Sequence, residues 1–343
     1  MKEQFAILCL VSAHVTGSIQ DFPIFESTPI SQGSSIQFPM HISLGEVEET
    51  RLIQLSTRSS ASRFSMEGVS LTETPLSVSF NSVDRTISVS ENRYISREPG
   101  NILAASPSSS FASTVGDFMF IAPRYDDSEP TLRLVLSPGE EGARSLCEEH
   151  EITYVDGVED IQMNGDPRWM VNAVVTAIPA GTNAVEQSGT AMNHAQSWVH
   201  MHLYHISPNS PVDILDSSVW SYDFLEHFTN AGAVAEEDLS QDGRIILGNC
   251  TSSLERFPSF RYSLFTYTDP QQTQLEKALD LLIMPADYTT MIDDDRCILN
   301  MARGGGRHQR ISEQNVFGLN IFKNSNIHFD AVNRRIGFGD PLE

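Results

Sequence analysis

The chain has 343 residues, a length that predicts about two domains of roughly 150 residues each. Its 40% hydrophobic and 20% charged residues are ordinary for a folded protein and exclude a disordered chain. Twenty-two Lys and Arg residues stand against 45 Asp and Glu residues. The net charge of −23 argues against nucleic acid or an anionic membrane surface as a partner. No apolar run of about 18 residues occurs, so we expect no transmembrane segment.

The start of the chain has the pattern of a secretory signal peptide. The apolar stretch 5–11 is followed by mostly small or polar residues up to Ser18. We therefore expect residues 1–18 to be a signal peptide, cleaved near Gly17 or Ser18, and the protein to be secreted and extracellular. The alternative is a buried N-terminal strand.

Short runs typical of β-strands dominate the chain after a short arm that we expect over 19–35. Alternation of apolar and polar residues begins at Ile36. The expected strands lie at 36–44, 52–55, 76–80, 86–89, 118–121 and 132–136. Helical patterns occur only at 222–229 and at 271–282, the latter directly after the pair Asp269-Pro270. Many short strands with few helices predict a mainly β protein.

The C-terminal segment carries the most specific pattern. The pair Phe317-Gly318 is followed by Phe329-Asp330, and Gly337 comes seven residues after Asp330. This spacing resembles the closing segment of the pepsin-like aspartic proteases. In that family a Leu-Gly turn leads into a strand ending in Phe-Asp, and then into a hairpin ending in an apolar-Gly pair. The alternative is any β-hairpin that ends in glycine.

A second set of residues resembles the C-terminal lobe of the same family. The set comprises Cys250, Phe257-Pro258, Tyr288 and the run 293–297. The resemblance implies a disulfide between Cys250 and Cys297, which leaves Cys147 as a buried free thiol. It also implies a strand near Leu281, in conflict with the helical pattern at 271–282, and both interpretations stay open.

The family carries a hydrophobic-Asp-Thr/Ser-Gly motif once in each lobe. Counting eleven residues from Gly45 leads to Ser56, within Leu55-Ser56-Thr57-Arg58. There Ser56 replaces the aspartate, and Arg58 replaces the glycine. The second match is Leu215-Asp216-Ser217-Ser218, which keeps the aspartate but has Ser218 in place of glycine. The resemblance therefore implies that Ser56 and Asp216 lie opposite each other across a pseudo-twofold axis.

These substitutions bear on the chemistry that the resemblance implies. Enzymes of the family activate water between two carboxylates that share one proton. Ser56 holds no charge near neutral pH, so Asp216 lacks a partner. Arg58 either favours an ionised Asp216 or faces solvent. Between 60 and 106 no tyrosine stands beside glycine, as the family's flap requires, and 19–35 lacks the basic residues of a family propeptide.

We therefore expect a bilobal, pepsin-like acid-protease fold with an N-terminal lobe at 36–165, a C-terminal lobe at 166–343 and a cleft between them. The first functional hypothesis is a non-catalytic homologue that binds a peptide or protein ligand in the cleft. The alternatives are an active aspartic endopeptidase with an aberrant dyad and a structural surface protein that uses only the scaffold. We expect a monomer without cofactor.

Two further patterns in the sequence bear on possible sites. Asn249 begins the sequon Asn249-Cys250-Thr251 and is a candidate for glycosylation. A metal site is imaginable among four histidines, but no acidic or thiol ligand has matching spacing, so we expect no metal. These histidines are His194, His200, His202 and His205.

Overall fold

The computed structural model describes residues 22–30, 36–44, 47–57, 62–66, 69–72, 78–81, 86–89, 101–123, 130–158, 169–181, 201–216, 223–235, 244–269, 274–303 and 315–342. In these residues strands far outnumber short helices, which confirms the mainly β prediction. The expected signal peptide and the expected lobe boundary between 165 and 166 lie outside the described residues, and the two lobe ranges stay predictions.

A seven-stranded sheet is built from the N-terminal third of the chain. Its strands, in spatial order, are β5 (Val69–Thr72), β4 (Arg63–Met66), β8 (Ile102–Ala104), β3 (Val47–Ser56), β2 (Phe38–Leu44), β7 (Thr86–Val89) and β6 (Val78–Asn81). Alternate side chains of β2, those of Phe38, Met40 and Ile42, are at most 1% exposed. The apolar alternation after Ile36 therefore marks a strand with one face in the core, as predicted.

A six-stranded sheet joins the two ends of the chain. Its strands, in spatial order, are β1 (Ile24–Glu26), β10 (Arg133–Leu136), β9 (Asp117–Ile121), β23 (Asn326–Asp330), β24 (Arg335–Gly339) and β11 (Thr153–Asp156). The expected arm at 19–35 thus contributes an edge strand, β1. Phe118 of β9 stacks on Phe329 of β23 with ring centroids 4.9 Å apart, which anchors the last strands in the core.

The β23–β24 hairpin is the closing segment that the sequence pattern singled out. The Asp330 carboxylate accepts hydrogen bonds from the backbone and side chain of Asn333 and from Arg335 Nε, which close the turn. A Cβ atom on Gly337 would lie 2.5 Å from Ile152 Cγ2. Glycine is therefore required at 337 because the neighbouring strand packs against the backbone there.

A second seven-stranded sheet is built from the C-terminal half. Its strands, in spatial order, are β18 (Leu275–Ile283), β17 (Ser259–Tyr267), β12 (Met170–Ile178), β13 (His202–Ile206), β22 (Val316–Phe317), β14 (Asp213–Leu215) and β21 (Met301–Arg303). The helix predicted over 271–282 is wrong. Residues 275–283 instead pair with β17 in an antiparallel ladder, as the family resemblance implied near Leu281.

A four-stranded sheet carries the disulfide. Its strands, in spatial order, are β15 (Val234–Ala235), β16 (Ile246–Gly248), β20 (Cys297–Leu299) and β19 (Thr289–Met291). Cys250 is bonded to Cys297, and Cys147 is free and buried, which confirms both cysteine predictions. Burial raises the pKa of the Cys147 thiol to about 11, so this thiol is protonated and unreactive at neutral pH.

Short helices connect the strands. They are α1 (Ser110–Val115), α2 (Gly139–Ser145), α3 (Asp223–Asn230), α4 (Cys250–Ser253), α5 (Pro285–Tyr288) and α6 (Leu319–Asn324). Helix α3 confirms the helical pattern at 222–229. Within the described ranges, no helix is both long and apolar enough to cross a bilayer.

Candidate functional site

The same three-strand arrangement occurs twice in the molecule. In the N-terminal sheet, β8 lies between β3 and β4, parallel to β3 and antiparallel to β4. In the C-terminal sheet, β22 lies between β13 and β14, parallel to β13 and antiparallel to β14. In each copy the chain passes from the first outer strand to the second through a short connecting segment, which we call a turn. The two turns are therefore structural counterparts.

The strand register identifies equivalent residues in the two copies. Gln54 lies beside Ile102 and donates its backbone N–H to the Asn101 carbonyl over 2.9 Å. His205 lies beside Val316 and donates its backbone N–H to the Asn315 carbonyl over 2.9 Å. Gln54 therefore corresponds to His205. Two residues further on, Ser56 corresponds to Ser207.

The far ends of the two turns support this correspondence. Arg63 lies beside Ile102, and Ile214 lies beside Val316, so each is seven residues after its serine. Ser62 and Asp213, one residue earlier in each copy, both accept a backbone N–H from the central strand or from the residue that follows it. The Ser62 hydroxyl accepts the backbone N–H of Ala104 over 2.9 Å, and the Asp213 carboxylate accepts the backbone N–H of Gly318 over 2.6 Å.

Two hydrogen bonds connect the turns to each other. We call the segments 56–57 and 207–209 the paired turns. The Thr57 hydroxyl donates to the Ile206 carbonyl over 2.8 Å, and the Asn209 amide donates to the Leu55 carbonyl. Leu55 and Ile206 each precede one of the two serines, so the two acceptors hold equivalent positions, whereas the donors Thr57 and Asn209 lie one and two residues after their serines. Each turn thus fixes the strand end of the other.

Thr57 is held from a second side. Its hydroxyl oxygen lies 3.3 Å from His205 Nε2, and both residues are fully buried. Since the Thr57 proton is donated to the Ile206 carbonyl, the remaining lone pairs accept from a protonated Nε2 of His205. The contact therefore orients both side chains beneath the paired turns.

A buried carboxylate organises the C-terminal turn. Asp213 is fully buried and accepts hydrogen bonds from the Tyr262 hydroxyl at 2.5 Å and from the Asn320 amide at 3.0 Å, besides that from Gly318. Burial raises the pKa of Asp213 to about 6, although these three hydrogen bonds lower it. Its carboxylate oxygens are engaged inside the fold.

An aromatic layer fixes the central strand beside that carboxylate. The Phe317 ring of β22 is stacked between Tyr204 and Tyr262, with centroid distances of 4.1 Å and 4.4 Å. Burial raises the pKa of Tyr262 well above its ordinary value, so its hydroxyl stays protonated and donates to Asp213. The stack therefore aligns the donor with the carboxylate.

The predicted equivalence of Ser56 and Asp216 needs correction. Asp216 follows β14, where its carboxylate lies 3.3 Å from His202 Nε2, near the beginning of β13. Because β14 runs antiparallel to the central strand, Asp216 is displaced from Ser207 by about four residues, or roughly 13 Å along the sheet. Ser207, and not Asp216, occupies the position equivalent to Ser56.

Other predicted site residues lie elsewhere. Arg58, Ser217 and Ser218 are outside the described residues. Asn249 is exposed at the start of α4, and the following Thr251 hydroxyl donates to the Asp294 carbonyl. Of the four histidines, His194 and His200 are not described. Among the described residues, no group of His, Cys, Asp and Glu is arranged to hold a metal ion.

Ser207 does not match the family motif, which has an aspartate at this position. A signal was present, since Leu55-Ser56 and Ile206-Ser207 both place a serine after a large aliphatic residue at the end of a strand pattern. The strand that contains Phe317 also needs a parallel partner that ends shortly before a turn, and 202–206 meets that condition. Asp216 has the residue type of the motif, but it follows β14, which is antiparallel to the central strand, and the motif position follows the parallel strand β13.

Comparisons with known proteins agree with this geometry. No family model matches the sequence, and no curated protein matches it. Among solved structures, the chain is similar to the aspartic proteinase from Irpex lacteus, with a TM-score of 0.56 and 10% sequence identity over 93% of this chain and 98% of that chain. This chain therefore has the fold of the pepsin-like aspartic proteinases.

Proposed function

We propose that this protein is a non-catalytic relative of the pepsin-like aspartic proteinases that binds an extended peptide or protein segment without cleaving it. The observation that carries the proposal is the equivalence of Ser56 and Ser207 at the ends of β3 and β13. Both positions from which this fold would present a carboxylate carry a hydroxyl group instead.

The chemistry of the paired turns supports binding rather than hydrolysis. Aspartic-type hydrolysis needs one ionised and one protonated carboxyl group that share a proton around the attacking water. A serine hydroxyl stays neutral across the acidic and neutral pH range, so it does not act as the base. The hydrogen bonds of Thr57 and Asn209 nevertheless preserve the frame, which suits a protein that uses the fold for recognition.

The alternative is an active endopeptidase with an aberrant dyad that includes Asp216. Asp216 contacts His202 and lies about four residues along the sheet from Ser207. Asp213 is nearer in sequence, but its carboxylate is buried and bonded to three donors. Neither aspartate is placed to share a proton across the paired turns, so the non-catalytic proposal is preferred.

A cleavage and binding assay tests the proposal. We expect the purified protein not to cleave a broad peptide library between pH 3 and pH 7, and to bind some library peptides saturably. Asp216→Ala should leave both results unchanged. Cleavage that disappears in Asp216→Ala would establish the alternative, and cleavage that disappears in Ser207→Ala would show a serine-dependent reaction instead.

The remaining expectations belong to this proposal. We further propose that the protein is secreted after removal of residues 1–18 and that it is a monomer. We also propose that its lobes span 36–165 and 166–343. They stay predictions.

A further inference from the structure

Asn249-Cys250-Thr251 is the one Asn-x-Ser/Thr triplet in the sequence, and it plays no part in peptide binding as proposed above. Asn249 is exposed and has a left-handed backbone conformation, with a φ of 60°, directly before helix α4. A glycan on its side chain would therefore project into solvent. The two residues that follow it are held inside the fold.

The Thr251 hydroxyl is engaged within the folded protein. It donates a hydrogen bond to the Asp294 carbonyl, although the residue is exposed. A hydroxyl group two residues after the asparagine is part of what defines an acceptor, so a glycosyltransferase must reach that hydroxyl as well as the Asn249 amide. In the folded protein the hydroxyl is bonded to another segment and is withdrawn from such recognition.

Cys250 is fixed more firmly than its neighbours. It is fully buried, begins α4, and donates its backbone N–H to the Asp295 carbonyl over 2.8 Å. Its sulfur is bonded to Cys297, and strand β16 just before it pairs with β20. The triplet therefore does not extend into an enzyme's active site unless these contacts open. All of these contacts come from residues 294–299, which we call the docking segment.

We infer that Asn249 is an N-glycosylation site that is modified only before the docking segment reaches it, so that glycan transfer competes with formation of the Cys250–Cys297 disulfide. The inference rests on the proposed secretion, because both reactions belong to a secretory compartment, and it does not depend on peptide binding. The order is fixed in one direction only. Since Asn249 is exposed, a glycan already attached to it leaves the disulfide free to form.

Both reactions balance with reagents of that compartment. The Asn249 Nδ2 attacks the anomeric carbon of an oligosaccharide carried on a lipid diphosphate. The new C–N bond forms as the bond from that carbon to the diphosphate oxygen breaks, the lipid diphosphate leaves, and the amide nitrogen loses one proton. In the second reaction, the thiols of Cys250 and Cys297 lose two electrons and two protons to the disulfide of an oxidoreductase.

The time scales of the two reactions overlap. Cys250 and Cys297 are separated by 47 residues. At a synthesis rate of about 5–20 residues per second, the second cysteine follows the first by roughly 2–9 s. Disulfide formation then takes seconds to hours. The interval for glycan transfer ends when the disulfide closes, so we expect the secreted protein to contain both glycosylated and unglycosylated molecules.

Glycan occupancy in a eukaryotic secretory host measures this competition. The full chain is produced in a eukaryotic cell line, and occupancy is read from the mobility shift on enzymatic glycan removal, both in the medium and in the cells. Because the glycan is attached before folding, the cell-associated chain still reports occupancy for a variant that folds poorly. Asn249→Gln should abolish the shift, since the sequence contains no other acceptor triplet.

Cys297→Ser is the decisive variant because it removes the disulfide without altering the triplet. Its unglycosylated fraction should fall several-fold below that of the unsubstituted protein. Cys147→Ser, which removes the buried free thiol, is the matched control and should leave occupancy unchanged. Dithiothreitol added to the cells during labelling should raise occupancy in the unsubstituted protein to that of Cys297→Ser, and should have no further effect on Cys297→Ser itself.

The outcomes are distinguishable. If the chain never enters the secretory compartment, the proposed secretion fails and the inference fails with it. If the protein is secreted but carries no glycan at Asn249, or if every unsubstituted molecule carries one, the inference alone is overturned. Equal occupancy in the unsubstituted protein and in Cys297→Ser, or an equal rise in Cys147→Ser, overturns it as well. A rise confined to Cys297→Ser and to reduction by dithiothreitol supports it.

Discussion

Asp213 is the buried carboxyl group on which the C-terminal turn depends. Three donors from different elements meet at its two oxygens, from β17, from the residue before α6 and from α6 itself. At the equivalent position of the other copy, the Ser62 hydroxyl accepts the backbone N–H of Ala104. The C-terminal copy therefore contains an ionisable group where the N-terminal copy contains a neutral one.

This difference predicts a pH dependence of stability. Burial raises the pKa of Asp213 to about 6 in the folded state, whereas an unfolded Asp titrates at about 3.9. Its contribution to the free energy of unfolding is therefore full below about pH 4 and is lost as pH rises through about 6. The expected loss is on the order of 3 kcal/mol. The measurement is the free energy of unfolding in urea at pH 4 and at pH 7. The loss of stability between these two pH values should be smaller in Asp213→Asn than in the unsubstituted protein, because asparagine does not titrate.

Asp330 provides the control with the opposite sign. Burial raises the pKa of Asp330, but hydrogen bonds from Asn333 and Arg335 outweigh it and lower that pKa below its ordinary value. Its stabilisation is therefore present above the unfolded pKa and is lost as pH falls. Asp330→Asn should remove stability mainly at pH 7. Equal pH slopes in the Asp213→Asn variant and the unsubstituted protein would contradict the role given to Asp213.

At the scale of residues, one half of the site could be predicted from the sequence. Ser56 follows from the spacing to Gly45, because a hairpin and a strand have fixed lengths. Its counterpart Ser207 depends on which strand lies beside β22, and that pairing is set by the folding of distant segments. Asp216 has the correct residue type in a local motif, but the ladder puts it too far along the sheet.

At the scale of elements, the central strand β22 requires glycine at its end. A Cβ atom on Gly318 would lie 2.5 Å from the Ser210 carbonyl oxygen, and the Val212 carbonyl is also in contact. Both obstacles are backbone atoms of the turn that encloses β22, so side-chain movement does not relieve the clash. We expect Gly318→Ala to destabilise the protein by about 3 kcal/mol or more, since overpacking here must move the backbone.

Gly248 is the matched control for this substitution. It ends the strand β16, and the nearest atom to a Cβ there is the Val234 carbonyl oxygen at 3.8 Å, an ordinary contact. Gly248→Ala should therefore change the urea midpoint little. If the two variants unfold at the same urea concentration, the close enclosure of β22 is not what makes Gly318 necessary.

The helix wrongly predicted over 271–282 shows that a local sequence pattern does not always decide the secondary structure. The sequence of β18 contains good helix formers, such as Leu, Glu, Lys and Ala, and it follows an Asp-Pro pair. In the fold, β18 pairs along its length with β17, and this ladder outweighs the local preference. By contrast, the alternation in β2 was sufficient to predict a strand, because one buried face has the same period as the sequence pattern.

At the scale of the whole molecule, the paired turns tie together the two copies of the three-strand arrangement. The donors are the side chains of Thr57 and Asn209, and the acceptors are carbonyl groups on the opposite strands. Thr57→Val should lower the free energy of unfolding by about 1–3 kcal/mol, because the substitution leaves a buried carbonyl without its donor. Urea unfolding measures this effect.

A second variant and an exposed control complete that experiment. Asn209→Ala should have a similar effect, and the double variant should differ from the sum because both bonds depend on the same alignment. Thr251→Val removes the donor of an exposed hydrogen bond to the Asp294 carbonyl, and should cost no more than about 0.5 kcal/mol. If Thr57→Val costs as little as Thr251→Val, the paired turns do not hold the copies together.

The six-stranded sheet also determines when this protein is able to finish folding. Strand β9 has β10 on one side and β23 on the other, and the bond between His328 and Asp117 spans 211 residues of chain. During synthesis from the N-terminus, β9 therefore keeps one edge unpaired until β23, which lies about 200 residues further along the chain, has been translated. An open strand edge favours mispairing with other chains. The interval before residue 330 leaves the ribosome is thus the period in which a nascent chain most needs protection from aggregation.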